Sequence, residues 1–370
     1  MASNVFYLKK RVKNIFNKTN NKVDLIIIKN SIDPYIDDNF FYISGLTKGI
    51  YEGSIAILYP SGDIELITSQ LELESAKKSN LPVHIYNDYE EYKNLLEKLT
   101  TKYKNIGLNF TGISHKGFLN LKQILEKKQL IDVSNEICET RLIKDNIEIS
   151  KMQKACNISD DVMKKIPEIL YEGIYEYEVA AEISYLMQKL GADSSAFEII
   201  SSFNKNTAEP HYSHGNTKLK KGDFALFDFG AQYKKYNSDI TRTFIFGKAD
   251  KKQKEMYYTV REAQQIGFDE IRPDIAANEV HRKVKSFIDN TKFKGHFIHS
   301  TGHSLGLSVH DTNKGLNQNG NFLLKENMVF TIEPGIYIPK FGGVRIEDDV
   351  LIKKDKIRLL SNSPRKLIEI

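Results

Sequence analysis

The 370-residue sequence has no tryptophan, only two cysteines, and no run of eighteen apolar residues. The last absence excludes a membrane-spanning helix, which needs about 20 predominantly apolar residues. Cys138 and Cys156 lack the spacing of a zinc or redox motif, and two thiols make no disulfide framework. The expectation is reduced thiols in a cytoplasmic protein. The missing tryptophan does not thin the aromatic content, because 19 Tyr and 20 Phe bring it to 11%. With 41% hydrophobic residues, the chain is too apolar to be intrinsically disordered. Nor is there a large excess of one charge: 53 basic and 48 acidic residues are mixed along the chain. No basic stripe interleaved with aromatics appears, which argues against a nucleic-acid partner. The opening MASNVFYLKKRVKNIFNK is basic but lacks the unbroken apolar core of a signal peptide. Its Val5, Phe6, Leu8, Val12, Ile15 and Phe16 recur at helical spacing instead.

What is present reads as two domains, since 370 residues exceed one ordinary core. In the first third, VDLIIIK, SIAILYP, IELIT, VHIY and NIGLNF read as strands. LELESAKKS and YEEYKNLLEKLTTKY between them have helical composition, so residues 1–135 are expected to form a small α/β domain. A long helical region from Ser134 then leads into a second domain, 136–370. EYEVAAEISYLMQKLGA is a further helix ending at Gly191, and from Phe197 the segments are β-rich, apart from a helical block near 250–290.

The chemistry gathers in the second domain. In FALFDFGAQYKKYNSDITRTFIFG two β-like runs flank a polar centre, as in a hairpin. A turn centred on Tyr233-Lys234 would set Asp228 opposite Asp239, at a Cβ separation of about 5 Å. In VFTIEPGIYIPKFGGVRIEDDVLI a turn about Lys340 would likewise set Glu333 opposite Glu347. Facing carboxylates repel unless a cation lies between them, and Asp228 sits between Phe227 and Phe229, where an unpaired charge is costly. Four acids and one imidazole make an oxygen-rich set suited to two divalent ions. FIHSTGHSLGLSVHD brings His299, His303 and His310 within twelve residues. His84, His115, His281 and His296 stand in no such motif and read as structural, and His214 as an exposed loop residue.

FDFGAQYKKYNSDITRTF, FIHSTGHSLGLSVHD, VFTIEPGIYIP and GGVRIEDD together resemble the pita-bread metallopeptidases of the Xaa-Pro dipeptidase (prolidase) and aminopeptidase P group, from about Arg141 to Leu360. The resemblance implies an α/β (α+β) chain: a creatinase-like N-terminal domain followed by a pita-bread domain of two pseudo-symmetric halves. It assigns the metal ligands to Asp228, Asp239, His303, Glu333 and Glu347, and the cofactors to two manganese or cobalt ions, or zinc. His211, in EPHYSHG, is placed in the substrate cleft, with His299 and His310 beside the metals. For His299, support and direct substrate contact are both open. Arg345 either pairs with a ligand carboxylate, facing the substrate site, or caps its turn. A metal-bridged hydroxide would attack the scissile carbonyl, with Glu333 as proton shuttle and His310 and His211 as oxyanion and substrate contacts. The substrates implied are short proline-containing peptides, and the assembly a homodimer.

Phe203, Glu209, His214 and Asp274 depart from the family pattern without touching a ligand. The chain length favours a dipeptidase over an aminopeptidase P acting on longer Xaa-Pro peptides. A metal-free amidinohydrolase or an inactive binding module would have lost ligands that are all present here. A methionine aminopeptidase needs no N-terminal α/β domain.

Overall fold

A computed structural model describes residues 2–370, which divide into two compact units, one up to Arg141 and one from Leu142 to Ile370. Among the described residues no helix is long and apolar enough to cross a membrane.

The first unit opens with the helix Ala2–Lys18, which buries Leu8, Val12, Ile15 and Phe16. Its centre is a six-stranded mixed sheet in the order β4-β3-β2-β1-β5-β6. β1 (Leu25–Lys29), β2 (Ile55–Leu58) and β3 (Ile64–Ser69) pair antiparallel, and β4 (Val83–Tyr86) joins β3 in parallel. On the other side β5 (Asn105–Leu108) and β6 (Gln129–Asp132) add in parallel. The aliphatic runs of β1 and β2 are wholly buried, as continuous apolar strands must be. β6 escapes a reading by hydrophobicity because Gln129 and Asp132 are exposed at the sheet edge.

The long helical region expected from Ser134 is broken in two. Two helices, Ser134–Leu142 and Asn146–Met163, are separated at Asp145. The Asp145 carboxylate accepts from the Ile147 and Glu148 N–H groups, while Glu148 accepts from the Asp145 N–H. This reciprocal cap starts a new helix. The block near 250–290 is also two helices, Lys251–Glu270 and Ala277–Asp289, because Pro273 cannot continue the first. Between them Asp274 adopts φ +65°, a left-handed conformation that glycine takes more cheaply.

Strands follow from β7 (Ser194–Ser195) and β8 (Ile200–Phe203) to the first hairpin. There β9 (Phe224–Phe229) and β10 (Ala231–Tyr233) return as β11 (Tyr236–Asn237) and β12 (Ile240–Ile245). The turn is Lys234-Lys235, not Tyr233-Lys234, and both lysines have positive φ, as a two-residue turn matching strand twist requires. Asp228 therefore lies opposite Thr241 rather than Asp239. The partner has moved by two residues, which preserves the side-chain face, so the two acids are diagonal neighbours. Phe227 and Phe229 point into a core with Val179, Ile183 and Phe203, leaving Asp228 to the opposite face.

β13 (Gly302–His303) pairs with β14 (Gly315–Leu316). A side chain at Gly302 would strike the Thr331 carbonyl, so glycine lets this strand lie against its neighbour. The second hairpin is β15 (Val329–Ile332) and β16 (Gly335–Ile338) returning as β17 (Gly342–Arg345) and β18 (Asp348–Ile352), with β19 (Ile357–Leu359) beyond. One register holds from Val329↔Leu351 to Ile338↔Gly342. Glu333 and Glu347 face one another at the break between its two ladders.

Candidate active site

The nine residues singled out above, Asp228, Asp239, His303, Glu333, Glu347, His211, His299, His310 and Arg345, all line one cleft of about 670 Å³. Its size is that of a small-molecule site. Ligand atoms of Asp239, His303 and Glu347 lie within 4.8 Å of one another. His303 Nε2 stands 3.5 Å from both Asp239 Oδ2 and Glu333 Oε1. The hairpins meet through Thr241, whose hydroxyl donates to Glu347 Oε2 at 2.5 Å and accepts from Arg345 Nε at 3.1 Å. Arg345 Nη2 reaches Asp228 Oδ2 at 2.6 Å, so the arginine pairs with an acid of the cleft rather than capping its turn.

These groups fit a bound cation. Asp228 Oδ1 and Asp239 Oδ1 are buried without a hydrogen-bond partner. His303 Nδ1 donates to the Ser304 carbonyl at 3.3 Å, which leaves the Nε2 lone pair aimed at carboxylate oxygens. Burial, then the Glu347, Asp228 and Asp349 charges, pushes the Asp239 carboxyl well up, and burial with the Glu333 and Asp228 charges does the same to Glu347. Burial raises Glu333 to about 7, against the Arg345 charge and with that of Asp228. The Arg345 guanidinium is engaged with Asp228, and oxygen ligands with an imidazole suit divalent ions.

His299 is committed at both nitrogens. Its Nδ1 donates to the Ser300 carbonyl at 2.8 Å, and its Nε2 accepts from the Tyr337 hydroxyl at 2.9 Å. Burial, aided by the Arg345 charge, lowers it to about 3, so the ring is neutral. Arg345 Nη1 donates to the same Tyr337 oxygen at 2.8 Å. The His310 ring lies 4.1 Å from that of His303. Its loop is tied back by the Asp311 N–H on the Ser304 carbonyl and by a buried ion pair, Lys144 Nζ to Asp311 Oδ2 at 2.8 Å. Lys144→Met is expected to destabilise the protein by about 3–5 kcal/mol, since it removes the cation paired with a buried carboxylate. The check is the urea-unfolding midpoint; an unchanged midpoint counts against the pair as an anchor.

Sequence reasoning missed several groups here. Asn313, Lys314 and Asn317 line the cleft because the chain after His310 returns as β14 beside His303. Behind Asp239, Asp349 Oδ2 accepts from the Asp239 N–H at 3.0 Å and from the Cys156 thiol at 3.2 Å. Burial pushes that thiol well up, so it is no thiolate. Asp349 was legible only as one letter of GGVRIEDD. The other histidines lie outside the cleft: His84 pairs with Glu65, His281 with Thr301, and His296 with the Tyr337 carbonyl, while His115 begins the helix His115–Ile124 and His214 is exposed.

A mixed α/β unit followed by one whose paired hairpins gather acids and a histidine defines a two-domain metal-dependent hydrolase of pita-bread fold. Residues 150–354 match metallopeptidase family M24, and residues 11–143 match the creatinase/prolidase N-terminal domain. The chain belongs to metallopeptidase family M24. It is 37% identical over 358 residues to an Xaa-Pro dipeptidase of Pyrococcus horikoshii, covering 96% of this chain and 99% of that one. The crystal structure of the prolidase from that organism superposes with a TM-score of 0.87 at 35% identity, covering 98% of this chain and 100% of the other. An X-Pro aminopeptidase from Thermotoga maritima superposes with a TM-score of 0.89 at 28% identity, covering 95% and 99%.

Proposed function

We propose that the protein is an Xaa-Pro dipeptidase, cleaving the bond between an N-terminal residue and proline, with Asp228, Asp239, His303, Glu333 and Glu347 holding two divalent cations. Manganese or cobalt, with zinc as a further option, would supply Lewis acidity and a water that ionises near neutral pH. Glu333, which lines the cleft 3.5 Å from His303 Nε2, is suited to take the proton of the attacking water and pass it to the leaving prolyl nitrogen. That nitrogen carries no N–H in the peptide and must be protonated to leave. His310 faces the cleft beside His303 and donates to the oxygen that develops charge. His211, on the cleft wall, contacts the substrate. Because both its nitrogens are occupied, His299 supports the site through Tyr337 and Arg345 rather than touching substrate.

The observation that favours a dipeptide over a longer peptide is Lys314. It lines the cleft, lies near the Phe322 ring, and makes no ion pair among the described residues. A free carboxylate one residue beyond the scissile bond exists only in a dipeptide, and a lysine in the cleft answers it. Lys314→Met is expected to raise KM for an Xaa-Pro dipeptide about tenfold and leave Xaa-Pro-Xaa peptides unchanged. Equal effects on both, or faster cleavage of the longer peptide by the unaltered enzyme, favour the aminopeptidase P reading. The name of the Thermotoga maritima relative keeps that reading in play.

A further inference from the structure

Glu176 is the first residue of the helix Glu176–Lys189, and it is fully buried. Helix capping does not need it, because Glu178 accepts the Tyr175 N–H at 2.8 Å. Its carboxylate instead accepts four donors. Oε1 takes the Phe203 N–H at 2.7 Å and Asn206 Nδ2 at 2.9 Å. Oε2 takes the Tyr212 hydroxyl at 2.9 Å and the Gly215 N–H at 3.0 Å. All four come from one stretch, 203–215, and that stretch carries His211 to the cleft wall. A side chain at Gly215 would strike the Tyr212 hydroxyl, so glycine is what lets the loop close on the acid.

The charge on Glu176 has no cationic partner within ion-pair distance among the described residues. Its burial is compensated by the four donors and by the helix N-terminus on which it sits. A carboxylate offers two equivalent oxygens, each accepting twice. No other side chain of that size does so, since an amide puts an N–H₂ group where one pair of donors points.

We infer that Glu176 is the positioning residue for His211: it gathers the 203–215 segment around one buried anion and so fixes where the imidazole meets the substrate. The inference rests on the reading of His211 as a substrate contact. Glu176 touches no reacting atom, so its effect passes through His211 and falls on binding. The Glu176→Gln variant is expected to raise KM for an Xaa-Pro dipeptide about tenfold, with kcat within about twofold and metal content unaltered.

The deciding measurement is a double-mutant cycle with His211→Ala. If Glu176 acts through His211, Glu176→Gln leaves KM unchanged within about twofold once the imidazole is gone. A purely architectural role raises KM equally in both backgrounds and overturns the inference while leaving His211 as a substrate contact. An unaltered KM in His211→Ala alone overturns the reading of His211, and the inference with it. If Glu176→Gln does not fold, Tyr212→Phe removes one of the four donors. It is expected to raise KM about threefold, again only when His211 is present.

Discussion

Glu333→Gln is expected to lower kcat for Xaa-Pro hydrolysis about 10³-fold in folded, metal-supplemented protein. Glutamine keeps the shape and one oxygen but cannot carry a proton between the water and the leaving nitrogen. The Thr331 hydroxyl, which donates to Glu333 Oε1 at 3.1 Å, holds one oxygen in place, so the substitution changes chemistry more than position. Steady-state kinetics beside a metal count per chain separates a lost proton shuttle from a lost cation. Full activity in the variant removes Glu333 from the mechanism.

Divalent-cation affinity is expected to rise with pH, by about 30-fold between pH 5.5 and pH 8 from Glu333 alone. The sign follows from the carboxyls. Glu333 sits near 7, and Asp239 and Glu347 are also raised, so at mildly acidic pH the cation-free site holds protons that binding must expel. Burial lowers the His303 imidazole, so protons compete less for its lone pair than for that of a free histidine. Each proton expelled contributes a slope of about one decade per pH unit below the pKa of its group, and the slope vanishes above it. Calorimetric titration with manganese in buffers of different ionisation enthalpy reads both affinity and proton release. Affinity that stays flat from pH 5.5 to 7 contradicts the carboxylate set as the metal site. Stabilisation by the cation follows the same curve, because it grows with the ratio of free ion to dissociation constant.

Two acids of the cleft were legible because they break apolar runs: Asp228 between two phenylalanines, Glu333 directly after Val329–Ile332. Such residues are expensive unless something compensates them, and alternation along the strand says which face they share. The register of the second hairpin was legible from its Pro-Lys-Phe-Gly-Gly segment, whose turn centres on Lys340. That of the first was not, since Lys234-Lys235 adopts left-handed backbone without glycine or asparagine to advertise it. Lys314 and Asn317 were invisible for another reason. The ladder of β13 with β14 is two residue pairs long, too short to leave a period in the sequence. Glu176 read as an ordinary acid in the first turn of a helix. Its partners stand 27 to 39 residues away, and burial by a distant loop leaves no local mark.

The Thr241 hydroxyl joins the two hairpins where they carry the acids. By donating to Glu347 and accepting from the arginine that grips Asp228, it denies those carboxylates independent freedom. Their separation thereby belongs to the pair of sheets rather than to side-chain rotamers. An ion too large for that spacing would have to push the packed hairpins apart, not merely turn a carboxylate. With the cations held as proposed, discrimination by ionic radius would fall to the backbone, and the choice among cations of similar radius to their affinity for oxygen and imidazole.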